Sequence, residues 1–339
     1  MNQFLYGGDI ESFAKYIDCK IEEVIDFSSN INFVKPHIAI DFNHLNIAPY
    51  PSYNHLYEMI AKLYGVKKSE LELFNGGSSA IFSLFRYLQL KRCFIYAPAY
   101  LEYKKASTLF GYETKLINRF DDMDSKNDFS SDSLIVFVNP STPDGKYYDL
   151  DTLMAQWIKA NATILIDESF LDFTNEKSAI EYLKCYPKLF ILKSMTKFYG
   201  AAGIRVGGII SNKIAISHLK EKEPLWKISQ FDSHYIAEAL KDKSFKKIAK
   251  ALGSKNNILL EQILQNSGLF DIVYPSSTNF ILAKLKNLKA YQLQEYLSKY
   301  KIFIQNSSNF DFLDDSYLRF AVKSTQELEL LKKAFDEKR

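Results

Sequence analysis

Short apolar runs alternate with amphipathic helical patterns through the first two thirds of the chain. The apolar runs predict β-strands at 93–98, 133–139, 162–167, 188–194 and 206–211. Apolar residues at helical spacing predict helices at 55–64 and 78–90. Strands that alternate with helices typically form a mostly parallel sheet with helices on its faces. The pattern therefore predicts an α/β fold.

The pattern changes near residue 235, where one long amphipathic helix is predicted over 235–268. Further strands are predicted within 277–285, 301–306 and 317–324. These elements indicate a second, smaller α+β domain. We expect an N-terminal segment (1–25) that packs with the small domain, a large domain (26–235) and the small domain (236–339). The polar stretch 118–133 is expected to be a surface loop or a poorly ordered connection.

The composition is that of an ordinary globular protein, with 339 residues of which 47% are hydrophobic and 24% charged. The 43 basic and 40 acidic residues are spread along the chain, so no basic block offers a surface for nucleic acid. No run approaches the ~18 apolar residues that a membrane helix needs. We therefore expect neither a nucleic-acid partner nor a membrane partner.

The three cysteines, Cys19, Cys93 and Cys185, are far apart and odd in number. This spacing argues against a disulfide framework and indicates a reducing compartment. The first residues lack the pattern of a signal peptide, so we expect a cytoplasmic protein. The five histidines show no ligand spacing such as HExxH, and we expect no metal.

Polar residues directly follow several predicted strands. Asn139, Asp167 and Ser194 each close an apolar run. Parallel α/β sheets bind ligands in the crevice at the carboxyl ends of their strands. Any one of the three residues alone is equally well explained as a helix cap. Three in consecutive strands indicate a site, and Asp167 indicates a cation near it, because an unpaired buried carboxylate is costly.

Lys197, in "KSMTKFYGAAGIRVGG" (193–208), lies three residues after Ser194, so we expect it to face the same crevice. A lysine amine forms Schiff bases with carbonyl compounds, and pyridoxal phosphate pairs such a lysine with an aspartate at its pyridine nitrogen. The aspartate keeps that nitrogen protonated, which makes the ring an electron sink. Lys197 and Asp167 therefore predict a pyridoxal-phosphate site.

Donors for the cofactor phosphate surround the lysine. Ser194, Thr196 and Arg205 offer hydroxyls and a guanidinium group. The stretch "NGGSSA" (75–80) offers helix N-terminal amides at Gly77 and the residues around it. Such a stretch is commonly just a turn with a cap. It is not GxGxxG, which argues against a dinucleotide fold.

These motifs resemble the fold-type I pyridoxal-phosphate enzymes of the class I and II aminotransferase family, over nearly the whole chain. "SMTKFYGAAGIRVG" is the most specific part. "YGGDIESFAKY", "IDFSSNIN" and "SNFDFLDDSYLRFAV" are most similar to the branch of threonine-phosphate decarboxylases and histidinol-phosphate aminotransferases. The resemblance implies a large domain built on a mostly parallel seven-stranded sheet and a smaller α+β C-terminal domain.

The resemblance also implies roles for single residues. Lys197 is implied to be the Schiff-base lysine, and Asp167 the partner of the pyridine nitrogen. Tyr100, in "APAY", is implied to stack on the cofactor ring, although a core tyrosine at a strand end is the alternative. The residues implied to hold the cofactor phosphate are Gly77, Ser78, Ser194 and Arg205, with Thr196 beside them.

The resemblance implies further roles at the substrate side and between subunits. Tyr50, in "PYPSY", matches a tyrosine that reaches the cofactor phosphate of a neighbouring subunit, which implies a homodimer with shared active sites. Arg319, in "YLRFAV", matches the arginine that binds the substrate α-carboxylate; without the resemblance, a surface arginine on an edge strand is the simpler interpretation. Asn30, in "IDFSSNIN", is assigned to the substrate side.

Several positions depart from the family pattern. Thr142, in "NPSTPDG", replaces an asparagine that bonds the phenolic oxygen of the cofactor, and Phe170 replaces a tyrosine that bonds the same oxygen. Tyr6 and Gln305 replace a histidine and an arginine that help to bind the substrate phosphate. Charge-assisted hydrogen bonds contribute roughly 1.5 to 3 kcal/mol each, so these two replacements argue against a phosphorylated substrate.

Three functions are consistent with the sequence. The first is transamination of a small amino acid or its phosphate, in which Lys197 moves the α-proton, and we favour it. The second is decarboxylation of a phosphorylated amino acid such as threonine phosphate. The third is a regulatory module that binds the cofactor without turnover, for which we expect an attached DNA-binding segment that the sequence does not indicate.

Overall fold

The computed structural model describes residues 7–123, 125 and 127–338, with strands at each of the apolar runs. The strands are β1 (Ile25–Asp26), β2 (Leu71–Phe74), β3 (Arg92–Ala97), β4 (Glu113–Asn118), β5 (Ser133–Val138), β6 (Thr163–Asp167), β7 (Leu189–Ser194), β8 (Gly207–Ile210), β9 (Phe270–Val273), β10 (Phe280–Leu285), β11 (Ile302–Phe303), β12 (Gln305–Asn306) and β13 (Tyr317–Ala321). The α-helices are α1 (Ile10–Tyr16), α2 (Asn54–Tyr64), α3 (Gly76–Leu88), α4 (Glu102–Leu109), α5 (Asp151–Lys159), α6 (Met195–Phe198), α7 (Lys213–Glu221), α8 (Gln230–Ala239), α9 (Phe245–Asn266), α10 (Ala290–Ser298) and α11 (Thr325–Asp336).

The large sheet has seven strands in the order β2-β8-β7-β6-β5-β3-β4. Strands β3 to β7 run parallel, and β8 pairs antiparallel with both β7 and β2. The mostly parallel α/β sheet predicted from the sequence is confirmed. Parallel strands place their carboxyl ends along one edge, so the residues that close β5, β6 and β7 lie side by side.

Both faces of the large sheet are covered by apolar packing. In β5, Leu134 and Val136 belong to one buried cluster, whereas Ile135 and Phe137 belong to the cluster on the other face. Successive side chains of a strand point to opposite faces, so a strand covered on both sides reads as a continuous apolar run. This is why the central strands could be recognised from the sequence.

The smaller sheet has the order β12-β13-β10-β9 and is antiparallel. Helices α9, α10 and α11 contribute to a third buried cluster against it. The N-terminal part joins this region through the parallel pair of β1 with β11, and Phe13 of α1 stacks on Phe303 with ring centroids 4.7 Å apart. The domain boundaries given above stay a prediction.

The single long helix predicted over 235–268 is wrong. The structure has two helices there, α8 and α9, which are separated by residues 240–244. The Asp242 carboxylate accepts hydrogen bonds from the backbone N–H groups of Ser244 and Phe245, both at 3.0 Å. Side chains that bond nearby backbone in this way compete with the helix and start a new one. The sequence analysis also does not predict strands β1, β2, β4 and β9.

The polar stretch 118–133 holds one residue that is not at the surface. Arg119 is only 2% exposed, and its guanidinium group donates to the backbone oxygens of Tyr96 (2.5 Å) and Val138 (3.3 Å). It also lies over the rings of Phe137 and Tyr148. The prediction of a surface loop is therefore wrong for Arg119, because a charged residue can be buried when backbone oxygens and aromatic rings surround it. Within the described ranges, no helix is long and apolar enough to span a bilayer.

Candidate active site

A cavity of about 410 Å³ lies at the carboxyl ends of β5, β6 and β7, with the smaller sheet on its far side. Its wall contains most of the residues predicted for the site: Asn30, Gly77, Ser78, Tyr100, Thr142, Asp167, Ser194, Thr196, Lys197, Arg205, Gln305 and Arg319. Three predicted residues are not among them. Asn139, which follows β5, is buried outside the cavity wall, where its amide donates to the backbone oxygen of Tyr148 at 3.0 Å and accepts from the Tyr148 N–H at 2.9 Å. Tyr50 lies outside the cavity of its own chain, and Tyr6 lies outside the described residues.

Asp167 closes β6 and is 5% exposed. Its carboxylate accepts a hydrogen bond from the Tyr103 hydroxyl at 2.7 Å and another from the Ser169 N–H at 2.8 Å. Burial and the charge of Asp167 raise the pKa of Tyr103 well above its usual value, so this hydroxyl remains a donor. The two donors fix the orientation of a side chain that lines the cavity.

Lys197 lies on the short helix α6, which begins directly after β7. Its Nζ is 4.5 Å from the centre of the Phe170 ring. Burial lowers the pKa of Lys197 below its usual value; the charge of Asp167 opposes this shift, and Arg319 and Arg205 add to it. A larger share of the amine is therefore uncharged near neutral pH, which is the form that acts as a nucleophile and base.

A group of donors surrounds the first turn of α3. At Gly76, whose φ is +78°, an added Cβ would lie 2.5 Å from Nη2 of Arg205, so only glycine lets the guanidinium approach the turn. The hydroxyls of Ser194 and Thr196 are 3.1 Å apart. An added Cβ at Gly77 would lie 3.6 Å from Cβ of Ser194.

These groups fit a phosphate. The N–H groups at a helix N-terminus, hydroxyls and an arginine fork are the donors that bind phosphate oxygens in proteins. Ser78 and Tyr100 continue the same wall, with their hydroxyl oxygens 3.1 Å apart. Tyr100 is partly exposed and packs edge-on to Tyr103, so it is not the core tyrosine considered from the sequence.

Arg319 enters the cavity from the smaller sheet. Its strand β13 lies between β12 and β10, so the alternative of a surface arginine on an edge strand is wrong. Its guanidinium group donates to the Thr142 hydroxyl and to the Ser28 backbone oxygen, both at 3.3 Å. Across the described part of the chain, Nε of Arg319 has no hydrogen-bond partner. Burial lowers the pKa of Arg319 to about 10, so it remains charged at neutral pH.

Thr142 and Phe170, which replace the family residues that bond the phenolic oxygen of the cofactor, are both buried in the cavity wall. Thr142 directs its hydroxyl towards Arg319, and Phe170 packs edge-on against Phe280 with ring centroids 4.8 Å apart. Phe170 offers no polar atom to a ligand. Sequence reasoning missed Tyr103, although it follows Tyr100 by three residues and thus lies near it on a helical turn.

Tyr50 is at the surface. It is 74% exposed and stacks on Trp226 with ring centroids 4.1 Å apart. Ile47 and Leu225 are also exposed nearby in the sequence. Large exposed apolar groups that cluster in this way are typical of protein interfaces.

Comparison with known proteins gives consistent matches. The family model described as aminotransferase class I and II matches residues 20–335. A threonine-phosphate decarboxylase of Salmonella typhimurium is 25% identical over 347 residues, which covers 96% of this chain and 94% of that protein. An adenosylcobalamin biosynthesis bifunctional protein of Leptospira interrogans is 29% identical over 363 residues. That match covers 99% of this chain, which spans 41% of the length of the bifunctional protein.

A solved structure agrees with these matches. The crystal structure of the histidinol-phosphate aminotransferase from Clostridium acetobutylicum has a TM-score of 0.80 and is 26% identical. The superposition covers 93% of this chain and 98% of that one. The overall fold is therefore shared across nearly the whole chain.

Proposed function

We propose that this chain, which belongs to the aminotransferase class I and II family, transfers the amino group of a small amino acid. The chain is a pyridoxal-phosphate-dependent enzyme, as its family is. One observation supports the proposal most directly: a lysine with a lowered pKa, a buried aspartate and a charged arginine line a single cavity. These are the groups that the reaction needs at the cofactor and at the substrate.

The cavity wall fits the cofactor. We propose that the amides of Gly77 and Ser78 hold the phosphate, together with Arg205, Ser194 and Thr196, which contribute a guanidinium group and two hydroxyls. Asp167 and Tyr100 line the same cavity, where Asp167 would hold a proton on the ring nitrogen and Tyr100 would pack against the ring. When bound, pyridoxal phosphate supplies an electron sink for a bond that breaks at the substrate α-carbon.

Lys197 moves the proton in this proposal. Its Nζ carries a lowered pKa, so the amine can take a proton from the α-carbon and return it as a general acid. Arg319 holds the α-carboxylate with its paired N–H groups, which orients the substrate. The apolar rings of Phe170 and Phe310 line the same cavity and exclude water from part of it.

Decarboxylation of a phosphorylated amino acid is the second candidate. It is supported by the 25% identity to a protein named threonine-phosphate decarboxylase. Gln305 opposes it, since an uncharged side chain stands where that branch carries an arginine. The contact of Arg319 with Thr142 suits either reaction, because both require a bound α-carboxylate.

We further propose that the chain acts as a homodimer with shared active sites. The exposed stack of Tyr50 on Trp226 supports this proposal, because it leaves a large apolar surface for a second copy. A cytoplasmic location stays a prediction from the dispersed cysteines.

The test is to incubate the purified holoenzyme with amino acids and their O-phosphates and to identify products by mass spectrometry. Transamination produces a 2-oxo acid and leaves the cofactor in its amine form. Decarboxylation produces an amine and carbon dioxide, and the cofactor returns as the aldehyde. Exclusive formation of the second product set would overturn the proposal in favour of the second candidate.

A further inference from the structure

We propose that the substrate side chain ends in an uncharged hydrogen-bonding group, either a hydroxyl or a carboxamide. The proposal rests on the proposed function, because it concerns the part of the same cavity beyond the α-carboxylate. We call this part the distal subsite and define it by Ser29, Asn30, Gln305, Asn309 and Phe310, which all line the cavity.

The positively charged side chains of the cavity already have proposed binding partners. Among the described residues, its wall contains three cations: Lys197, Arg205 and Arg319. Each of them has a proposed role at the cofactor or at the α-carboxylate. Residues 1–6, which are not described, include no Lys, Arg or His in their sequence. A phosphate on the substrate side chain would therefore lack an available cation of this chain.

The rim of the cavity adds to this argument. Lys104, on α4, forms an ion pair with Asp311, so its charge is compensated. Glu102, in the cavity wall, is paired with Lys105 at 2.9 Å. Neither Lys104 nor Lys105 therefore offers an uncompensated positive charge to a dianion in the distal subsite.

The polar groups of the distal subsite are neutral, and two of them, Asn30 and Gln305, are buried. Asn30 is 6% exposed, and its Oδ1 has no hydrogen-bond partner within the described ranges. Gln305 is 3% exposed, and its Nε2 donates to the backbone oxygen of Asn306. An added Cβ at Gly7 would lie 2.4 Å from Oε1 of Gln305, so the glutamine is packed closely against the N-terminal segment.

Amide side chains both donate and accept hydrogen bonds, whereas a phosphate dianion only accepts them. A hydroxyl or a carboxamide can supply the donor that the Oδ1 of Asn30 lacks. A hydrocarbon side chain would leave this oxygen unpaired, and sites with buried polar groups reject such analogues strongly. The subsite therefore selects against both phosphorylated and purely aliphatic side chains.

The test measures binding by equilibrium dialysis for a matched series. It uses holoenzyme whose Lys197–cofactor adduct has been reduced with borohydride, so that no turnover consumes the amino acid. The series is L-homoserine, O-phospho-L-homoserine and L-2-aminobutyrate, with L-asparagine and L-aspartate as a second pair. We expect homoserine and asparagine to bind at least about tenfold more tightly than their phosphorylated, aliphatic or acidic counterparts, since one charge-assisted or buried hydrogen bond corresponds to about that factor. Tighter binding of O-phospho-L-homoserine, or failure of both neutral polar amino acids to bind, would overturn the proposal.

Two variants of one position sharpen the test. Gln305→Arg introduces a cation and should shift the binding ratio towards O-phospho-L-homoserine by about tenfold or more. Gln305→Met keeps a similar length but has no amide group. It should weaken homoserine binding without strengthening the binding of O-phospho-L-homoserine. An unchanged ratio in Gln305→Arg would show that the distal subsite does not face the substrate side chain.

The result for the distal subsite can be distinguished from the result for transamination. Dialysis of the borohydride-reduced enzyme measures binding without turnover, and turnover is measured separately on the unreduced enzyme. Selective binding of homoserine with no amino acid converted to a 2-oxo acid would support the subsite and contradict transamination. Transamination of O-phospho-L-homoserine in preference to homoserine would support the reaction and contradict the subsite.

Discussion

Lys197 and Asp167 follow neighbouring strands but have different surroundings. Asp167 accepts two hydrogen bonds from fixed donors. The environment of Lys197 is partly apolar, with the ring of Phe170 at 4.5 Å from Nζ, and burial lowers its pKa. The two residues are thus prepared as a fixed hydrogen-bond acceptor and a mobile proton carrier.

Replacement of the lysine tests its role directly. Lys197→Ala should abolish the covalent adduct with pyridoxal phosphate, which is detected by mass spectrometry after borohydride reduction. Lys213→Ala, at the exposed first residue of α7, serves as the control and should retain the adduct. Because the pKa of Lys197 is lowered, adduct formation should extend to a lower pH than it does for exposed lysines. An adduct that persists in Lys197→Ala would contradict the assignment.

Replacement of the aspartate should separate cofactor binding from turnover. Asp167→Asn removes the charge but keeps a group that can bond Tyr103, so we expect the cofactor to remain bound. The turnover number should fall by about 10²- to 10³-fold, as when a preorganised electrostatic contact is lost. Steady-state kinetics and cofactor absorbance measure the two effects. Wild-type turnover in this variant would show that Asp167 does not act on the ring nitrogen.

The neighbours of these residues form an ion pair that links β6 to β7. Glu168 follows Asp167, and Lys193 precedes Ser194. The Nζ of Lys193 lies 2.5 Å from Oε2 of Glu168, and both side chains are almost completely buried. Glu168 also accepts hydrogen bonds from the Ser178 hydroxyl (2.7 Å) and the Ala179 N–H (2.6 Å). The pair therefore holds together the strand ends that carry the site.

Removal of one partner should destabilise the fold. Glu168→Ala leaves the Lys193 charge buried without its carboxylate, which typically costs about 3–5 kcal/mol. Denaturation by urea measures this loss as a lower free energy of unfolding. Glu329→Ala is the control, because Glu329 forms only an exposed pair with Lys332 and its removal should change stability little. Equal losses in the two variants would contradict the role of the buried pair.

The order of elements explains why Gln305 and Arg319 meet. The chain changes partners between β11, which pairs with β1, and β12, which pairs with β13. Gln305 is then directly opposite Arg319 in the antiparallel register. A single predicted strand over 301–306 did not indicate this change, because strand pairing depends on distant segments.

At the scale of the whole molecule, the exposed stack of Tyr50 on Trp226 predicts that each subunit contributes Tyr50 to the active site of its partner. We expect Tyr50→Ala and Lys197→Ala to have low activity separately. In a mixed dimer, the Lys197 of the first variant and the Tyr50 of the second complete one site of the two. After unfolding and refolding of an equimolar mixture, random pairing should restore about a quarter of the wild-type activity.

The mixture has a matched control. The same two variants refolded separately and then combined under conditions without subunit exchange should show only the sum of their own activities. An equally low activity after joint refolding would contradict shared sites. Sedimentation of the refolded mixture establishes that dimers are present in both samples.

Local patterns in the sequence determined the central strands, the polar residues that close them and the prediction of a pyridoxal-phosphate site at Lys197 and Asp167. Such features depend on the spacing of neighbouring residues, and buried parallel strands are continuously apolar. The family motifs extended this prediction to Arg319 and to Tyr100. Matches to known proteins confirm the fold, the family and the cofactor.

Only the tertiary structure decided what surrounds these residues. It brings Tyr103 to Asp167, Thr142 to Arg319 and Gln305 into the cavity wall. It also reverses β8 within the sheet and divides the helix predicted over 235–268. These features arise from contacts between segments far apart in the chain, and the packing of the whole molecule selects them over local preference.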